Sequence, residues 1–287
     1  MRGPDFVGVG APRAGTSWLH EVLGRHPQLW LPPIKELHYF DEPDGTKRYY
    51  SYLRMRLISG FWIKRPLGLF DFHYFLGRRS DAWYCKLFAP AQRRGLIAGE
   101  ITPAYSVVDD SALRRLWRLN PKTKLIYIMR DPVDRSWSAV VKKHHGRVRL
   151  GLPDLETAIR YAREEGIQKR SSYMESIAKF ERVFAREQIF YGFFEDLSQN
   201  PGGFVAALLR FLGAEPGEIA ALLPKTALNV AAAGRQPPEA FARALAADYF
   251  PWVEKLSERF DGPPRVWQSR YEAILGGSVA VDWEKRT

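Results

Sequence analysis

Apolar residues fall along this chain either in short unbroken runs or in steps of three and four. The clearest unbroken run, Lys124-Leu125-Ile126-Tyr127-Ile128-Met129, reads as a strand buried on both faces, since such a strand has no polar side to show. Asp131 follows as an N-cap and Pro132 as a first helical residue, opening a helix toward His145. Phe6-Val7-Gly8-Val9 reads as a second buried strand. Gly10 to Gly15 forms a turn, and Thr16 opens a helix with Trp18, Leu19, Val22 and Leu23 on one face, ending near His26-Pro27.

Shorter signals follow the same alternation. Leu29-Trp30-Leu31, Leu96 to Ile101 and Gln188 to Phe194 read as strands, and Ala112 to Leu119 as a short helix. Ser172-Tyr173-Met174-Glu175 has the form of a capping box starting a helix to Phe184. Gly203 to Leu212 reads as a helix with Gly213 beyond its end, and a last helical stretch runs from about Phe250 to Phe260. Strands alternating with helices predict an α/β fold: a single domain with one parallel sheet flanked by helices. No internal repeat or linker interrupts it.

Composition narrows the partners. Lys and Arg outnumber Asp and Glu by 43 to 32, a net charge of +11 over 287 residues, which suits an anionic ligand or surface. No run of five basic residues occurs, so a nucleic-acid partner is not expected, and part of the charge is expected to be focused in a cleft. Cys85 is the only cysteine, which excludes an internal disulfide and a cysteine-based zinc site and fits a reducing compartment. Met1-Arg2-Gly3-Pro4-Asp5 runs almost directly into the first strand. No signal peptide, membrane anchor or transmembrane segment is therefore expected, and the expected location is the cytoplasm.

Three segments carry candidate chemistry. Gly10-Ala11-Pro12-Arg13-Ala14-Gly15-Thr16-Ser17 lies between strand and helix, where backbone N–H groups and the helix dipole form an anion site. Its Gly-x-x-x-x-Gly spacing matches the start of a Walker A loop, but Thr16 stands where that motif has lysine, and the cation sits inside the loop at Arg13. Read without its context, it is also an ordinary glycine-rich turn.

Arg130 follows the strongest strand, at the edge where open α/β sheets bind ligands, and Ser138 lies two helical turns further on. A guanidinium fork with a hydroxyl suits a terminal phosphate. Arg130 also has Asp131 and Asp134 as alternative surface partners. In Lys35-Glu36-Leu37-His38-Tyr39-Phe40-Asp41, titratable groups crowd an aromatic segment. That setting suits acid–base catalysis, with the pKa of Glu36 expected to rise among apolar neighbours. A solvated loop with a Lys35–Glu36 surface pair is the plainer alternative.

Together these segments resemble the sulfotransferases that use 3′-phosphoadenosine-5′-phosphosulfate (PAPS), above all the heparan-sulfate-type and related bacterial enzymes. The resemblance runs from Asp5 to about Arg265. Gly10–Ser17 is similar to the family's 5′-phosphosulfate loop, and Arg130 and Ser138 to its 3′-phosphate motif. Lys35–Asp41 is similar to a Glu-x-His-Phe-Phe-Asp segment whose glutamate is the base, and Glu100-Ile101-Thr102-Pro103-Ala104-Tyr105 to a Glu-Lys-Thr-Pro-x-Tyr segment.

What the resemblance implies is a P-loop-kinase-like sulfotransferase domain over residues 1–287. PAPS would be the donor and 3′-phosphoadenosine-5′-phosphate (PAP) the product, with no metal required. Arg13, Ala14, Gly15, Thr16, Ser17 and Trp18 would hold the phosphosulfate, and Tyr173, Gly234 and Arg235 would add nucleotide contacts. Glu36 would be the general base. His38 would orient it or share that role, and Arg13 would stabilise charge on the leaving phosphate.

The chain departs from the family pattern at Arg13, Ile101 and Ala233, each standing where the family has lysine, and it lacks the family's cysteine pair. The missing lysines lead us to expect a small-molecule, lipid or carbohydrate acceptor less anionic than heparan sulfate. Residues 57–88, rich in Phe, Trp and Tyr, either pack a helical subdomain or form an insertion or lid over the acceptor cleft. The competing functional readings are a P-loop nucleotide kinase or NTPase, and a non-catalytic module binding a nucleotide or acidic polymer.

Overall fold

The computed structural model describes residues 1–42, 69–145, 152–224 and 236–276. Gly234, Arg235, Ala233 and positions 57–68 of the aromatic segment lie outside the described residues. The strands are β1 (Phe6–Gly10), β2 (Leu29–Trp30), β3 (Ile97–Ile101), β4 (Lys124–Met129) and β5 (Ile189–Phe193). They form one sheet in the order β2-β3-β1-β4-β5, every neighbouring pair parallel. Helices connect the strands, giving the α/β architecture that the alternating pattern predicts. All five residues of β1 are buried, as expected for a central strand covered on both faces.

The order places β1 between strands that follow it in opposite directions. The chain leaves β1 for β2 and β3 on one side, then lays β4 and β5 on the other. Strand order therefore reverses at β1, and the loops after β1 and β4 emerge side by side at the carboxyl edge, the ligand crevice of open α/β sheets. The Ala11 N–H donates to the Ile128 carbonyl at 2.7 Å, tying the loop after β1 to the end of β4.

The main core surrounds the sheet. A smaller aromatic cluster, including Leu37, Tyr39, Trp83, Tyr84 and Phe88, lies beneath residues 34–40. Tyr39 and Tyr84 stack at 4.6 Å. Tyr74, Trp83, Tyr84 and Phe88 are thus core residues, filling the base on which the Glu36 segment rests. Among the described residues no helix is long and apolar enough to cross a membrane.

Three local expectations are corrected. Ser172 stands at the start of the helix Tyr173–Glu181, but its side chain makes no capping bond. The 3-10 turn Lys169–Ser171 runs directly into the helix and leaves Ser172 at φ −77°, ψ 68°, outside the extended geometry a side-chain cap needs. The stretch near 250–260 is only the second half of Glu239–Arg259, which continues through Pro251. Leu155–Ala162 and Pro263–Leu275 are further helices that the pattern of apolar residues did not announce.

Candidate active site

The loop after β1 turns into the helix Thr16–Gly24 through Gly15, whose φ of 80° is left-handed. A Cβ at Gly15 would also lie 2.9 Å from the Leu197 side chain, so both conformation and space favour glycine. The first N–H groups of that helix have no partner within it and face the crevice with the positive end of its dipole. Ala14 and Thr16 are buried, Ser17 is exposed and Trp18 is half-buried.

Arg13, Arg130 and Ser138 converge here from three places in the sequence. Arg13 Nε donates to Ser138 Oγ at 3.0 Å, and Arg130 Nη1 donates to the Arg13 carbonyl at 3.1 Å. The Arg130 guanidinium lies over the Phe194 ring at 4.5 Å, a cation–π contact that fixes its plane. Asp131 and Asp134, the alternative partners for Arg130, are engaged elsewhere. Arg270 Nη1 reaches Asp131 at 2.8 Å and Asp134 at 3.2 Å, and the Tyr271 hydroxyl donates to Asp131. Asp131 Oδ1 also accepts the Val133 N–H at 2.9 Å and so caps the helix Pro132–His145 as predicted. Burial, and then the neighbouring charges of Arg130 and Arg135, lower the pKa of Arg13. Guanidiniums this close together, none ion-paired with a described carboxylate, leave the crevice electropositive.

Tyr173 is 2% exposed, and its hydroxyl donates to the Arg130 carbonyl at 2.6 Å. In this structure it positions the residue after β4. Tyr173→Phe leaves that carbonyl without its partner and is expected to reduce stability by about 1 kcal/mol. Denaturant unfolding checks this, and an unchanged midpoint would show that the bond contributes nothing.

The second half of the site is the segment Lys35–Asp41. Among the described residues, Arg13, Glu36 and His38 are the non-glycine residues with positive φ, at 74°, 67° and 49°. Side chains are held in that region only where surrounding contacts over-determine it, as is common at functional sites. Arg79 supplies two such contacts, donating to the carbonyls of Leu37 (3.1 Å) and His38 (2.8 Å). Glu100, 1% exposed, supplies the floor. It accepts from the hydroxyls of Tyr84 (2.5 Å), Thr102 (2.6 Å) and Tyr105 (3.3 Å), while Tyr105 oxygen accepts the Tyr39 N–H. Burial raises the Glu100 pKa.

His38 is bound by a carboxylate on each ring nitrogen, Asp41 on Nδ1 at 2.6 Å and Glu36 on Nε2 at 2.9 Å. Lys35 Nζ reaches the other Glu36 oxygen at 2.8 Å, so the predicted Lys35–Glu36 pair exists within a larger relay. The His38 side chain is 1% exposed and Glu36 31%, so only Glu36 can touch a bound molecule. Its pKa corrects the expectation of a raised value. Burial does push it up, but the His38 hydrogen bond and the Lys35 charge outweigh burial and hold it well below the usual carboxylate range.

Two residues at the carboxyl end of β5 escaped sequence reasoning. Phe194 carries the Arg130 guanidinium, and Glu195 Oε1 accepts the Asp131 N–H at 3.1 Å. Burial pushes Glu195 up to about 7. The signal was their place directly after a strand, the same signal that marked Arg130.

The matched family model is the sulfotransferase family, over residues 4–217. This chain belongs to the sulfotransferase family. It is 25% identical over 176 residues to the membrane-associated sulfotransferase kil1 of Dictyostelium discoideum, covering 60% of this chain and 29% of that protein. It is 28% identical over 222 residues to human heparan sulfate glucosamine 3-O-sulfotransferase 6, covering 74% of this chain and 53% of the relative. The chain thus spans about half or less of the length of these relatives. The fold matches that of a sulfotransferase from Alicyclobacillus acidocaldarius with a TM-score of 0.62 at 22% identity, covering 93% of this chain and all of that one.

Proposed function

We propose that this chain transfers the sulfuryl group of PAPS to a hydroxyl or amine of an acceptor, with Glu36 as the general base. The observation that carries the reading is the meeting of an anion crevice, formed by Arg13, Arg130 and Ser138, with an accessible, ionised Glu36. Glu100 and Tyr105, which support the Glu36 segment, end or follow β3, and β3 pairs directly with β1, whose loop carries Arg13, so the two halves are neighbours on the sheet. Arg130 and Ser138 take the 3′-phosphate. The amides of residues 14–18 and Arg13 take the 5′-phosphosulfate.

The acceptor oxygen forms a bond to sulfur as the bond from sulfur to the bridging oxygen breaks. The electron pair of the broken bond stays on the phosphate of PAP, where Arg13 and the loop amides stabilise it. Glu36 takes the acceptor proton, and buried His38, backed by Asp41, holds Glu36 in place. Positioning and charge stabilisation thus carry most of the catalysis, as in phosphoryl transfer. The relatives named for glucosamine and heparan sulfate support a carbohydrate among the candidate acceptors.

The test is a turnover assay with radiolabelled PAPS and a panel of carbohydrates, phenols and amphiphilic alcohols, with and without EDTA. Labelled product and PAP should appear in equal amounts, unaffected by EDTA. Magnesium-dependent ATP hydrolysis in place of PAPS turnover would favour the kinase reading and overturn this one.

A further inference from the structure

Arg135 is 0% exposed, yet it touches only neutral oxygens. Its Nε donates to Ser171 Oγ at 2.6 Å, and its Nη2 to Ser136 Oγ at 3.1 Å and the Ile167 carbonyl at 2.7 Å. No described carboxylate pairs with it. Burying a charge without a counter-charge is costly, so an uncompensated buried guanidinium points to an anion that arrives from outside.

Half-buried Arg170 repeats the pattern in part, and exposed Lys142 adds a third cation at the rim. Arg170 Nε is buried with no hydrogen-bond partner, and burial and the Arg135 charge lower the pKa of that side chain. Lys142 is exposed, and partial desolvation followed by the Arg13 charge lowers its pKa. Neither makes an ion pair with a described residue. With Pro12, Arg13 and Tyr161 these cations line a cavity of about 460 Å³, within the ~300–1,000 Å³ typical of small-ligand pockets.

The cavity is not a repeat of the donor crevice. Its walls include Arg13 but not Arg130, Ser138 or residues 15–18. Residues 135, 139 and 142 share one face of the helix Pro132–His145, alongside Ser138. The cavity shares Arg13 with the donor crevice, and Lys142 and Arg170 both feel the Glu36 charge, so it adjoins the side of the crevice on which an acceptor must lie.

We propose that the acceptor carries an anionic group of its own, and that Arg135, Lys142 and Arg170 hold that group while the acceptor's reacting hydroxyl sits at Glu36. This rests on the sulfotransferase reading and runs against the weakly anionic acceptor expected from Ile101 and Ala233. The cations were not lost; they come from a helix face and a distant turn.

The test uses calorimetry on the PAP-loaded protein with three matched sugars: p-nitrophenyl β-glucoside, its glucuronide and its 6-phosphate. PAP is titrated first. At least one charged sugar should bind roughly tenfold or more tightly than the glucoside, the worth of one charge-assisted hydrogen bond. The preferred charged sugar identifies a carboxylate or a phosphate as the anion. Arg135, with three internal bonds, also holds the fold, so the informative changes are Lys142→Gln and Arg170→Gln. Each should erase most of the preference while keeping PAP affinity within about twofold, well below the worth of a charge-assisted bond. Equal binding of all three sugars, binding of none, or a matching loss of PAP affinity in both variants would overturn the proposal. Failure of the wild-type protein to bind PAP would instead remove the sulfotransferase reading on which it rests.

Discussion

Glu36→Gln is expected to leave PAP affinity intact and lower turnover by ~10²–10⁴-fold, the usual worth of a general base. The amide keeps the shape of the side chain but cannot take a proton. The low pKa of Glu36 has a definite cause: His38 and Lys35 both favour the charged form and outweigh burial. The group is therefore ionised throughout the neutral range, as a base must be, and its basicity is tempered by the same two partners. His38 cannot replace it, because a side chain 1% exposed does not reach an acceptor. His38→Asn should consequently cost less than Glu36→Gln, and its effect should appear in kcat more than in KM. A Glu36→Gln enzyme of normal turnover beside a dead His38→Asn enzyme would reverse the two roles.

How much of this was legible in the sequence depended on whether a feature was local. β4 was read residue for residue as Lys124–Met129, because an apolar run closed by Arg-Asp-Pro has few other solutions. The loop after β1, Arg130 and Ser138 were found because strand-to-helix turns advertise themselves through glycine, N-caps and spacing. The helix Glu239–Arg259 was half missed because Pro251 reads as a boundary, although this helix runs through it. Pro263 and Pro264 occupy the first turn of a new helix, where their missing N–H groups are no loss. What could not be read was anything assembled from distant parts. The capture of Asp131 and Asp134 by Arg270 spans well over a hundred residues, and the cavity cations join one helix face to a turn near residue 170. Whether Glu36 sits high or low in pKa turned on the φ of two residues and the fold of one short segment, which no spacing rule contains.

Arg130→Ala should weaken PAP binding by about 1.5–3 kcal/mol, roughly ten- to a hundredfold or slightly more, as expected for loss of a charge-assisted hydrogen bond. The side chain is held ready for an anion from every direction. Phe194 supports its face, the Arg13 carbonyl takes one N–H, and Tyr173 fixes the carbonyl of the same residue. Its neighbours Asp131 and Asp134 are withheld by Arg270 and Tyr271, so neither aspartate competes with an incoming phosphate. Arg130→Lys should recover only part of the loss, because an ammonium cannot lie flat on Phe194 while offering a fork of parallel donors. Arg270→Ala offers an independent check on the same arrangement: freeing Asp131 and Asp134 should let them draw on Arg130 and weaken PAP binding without touching the nucleotide. Calorimetry on the three variants reads all of this directly. Unchanged affinity in Arg130→Ala would show that the 3′-phosphate lies elsewhere, and unchanged affinity in Arg270→Ala would show that the two aspartates are held away from Arg130 by geometry alone.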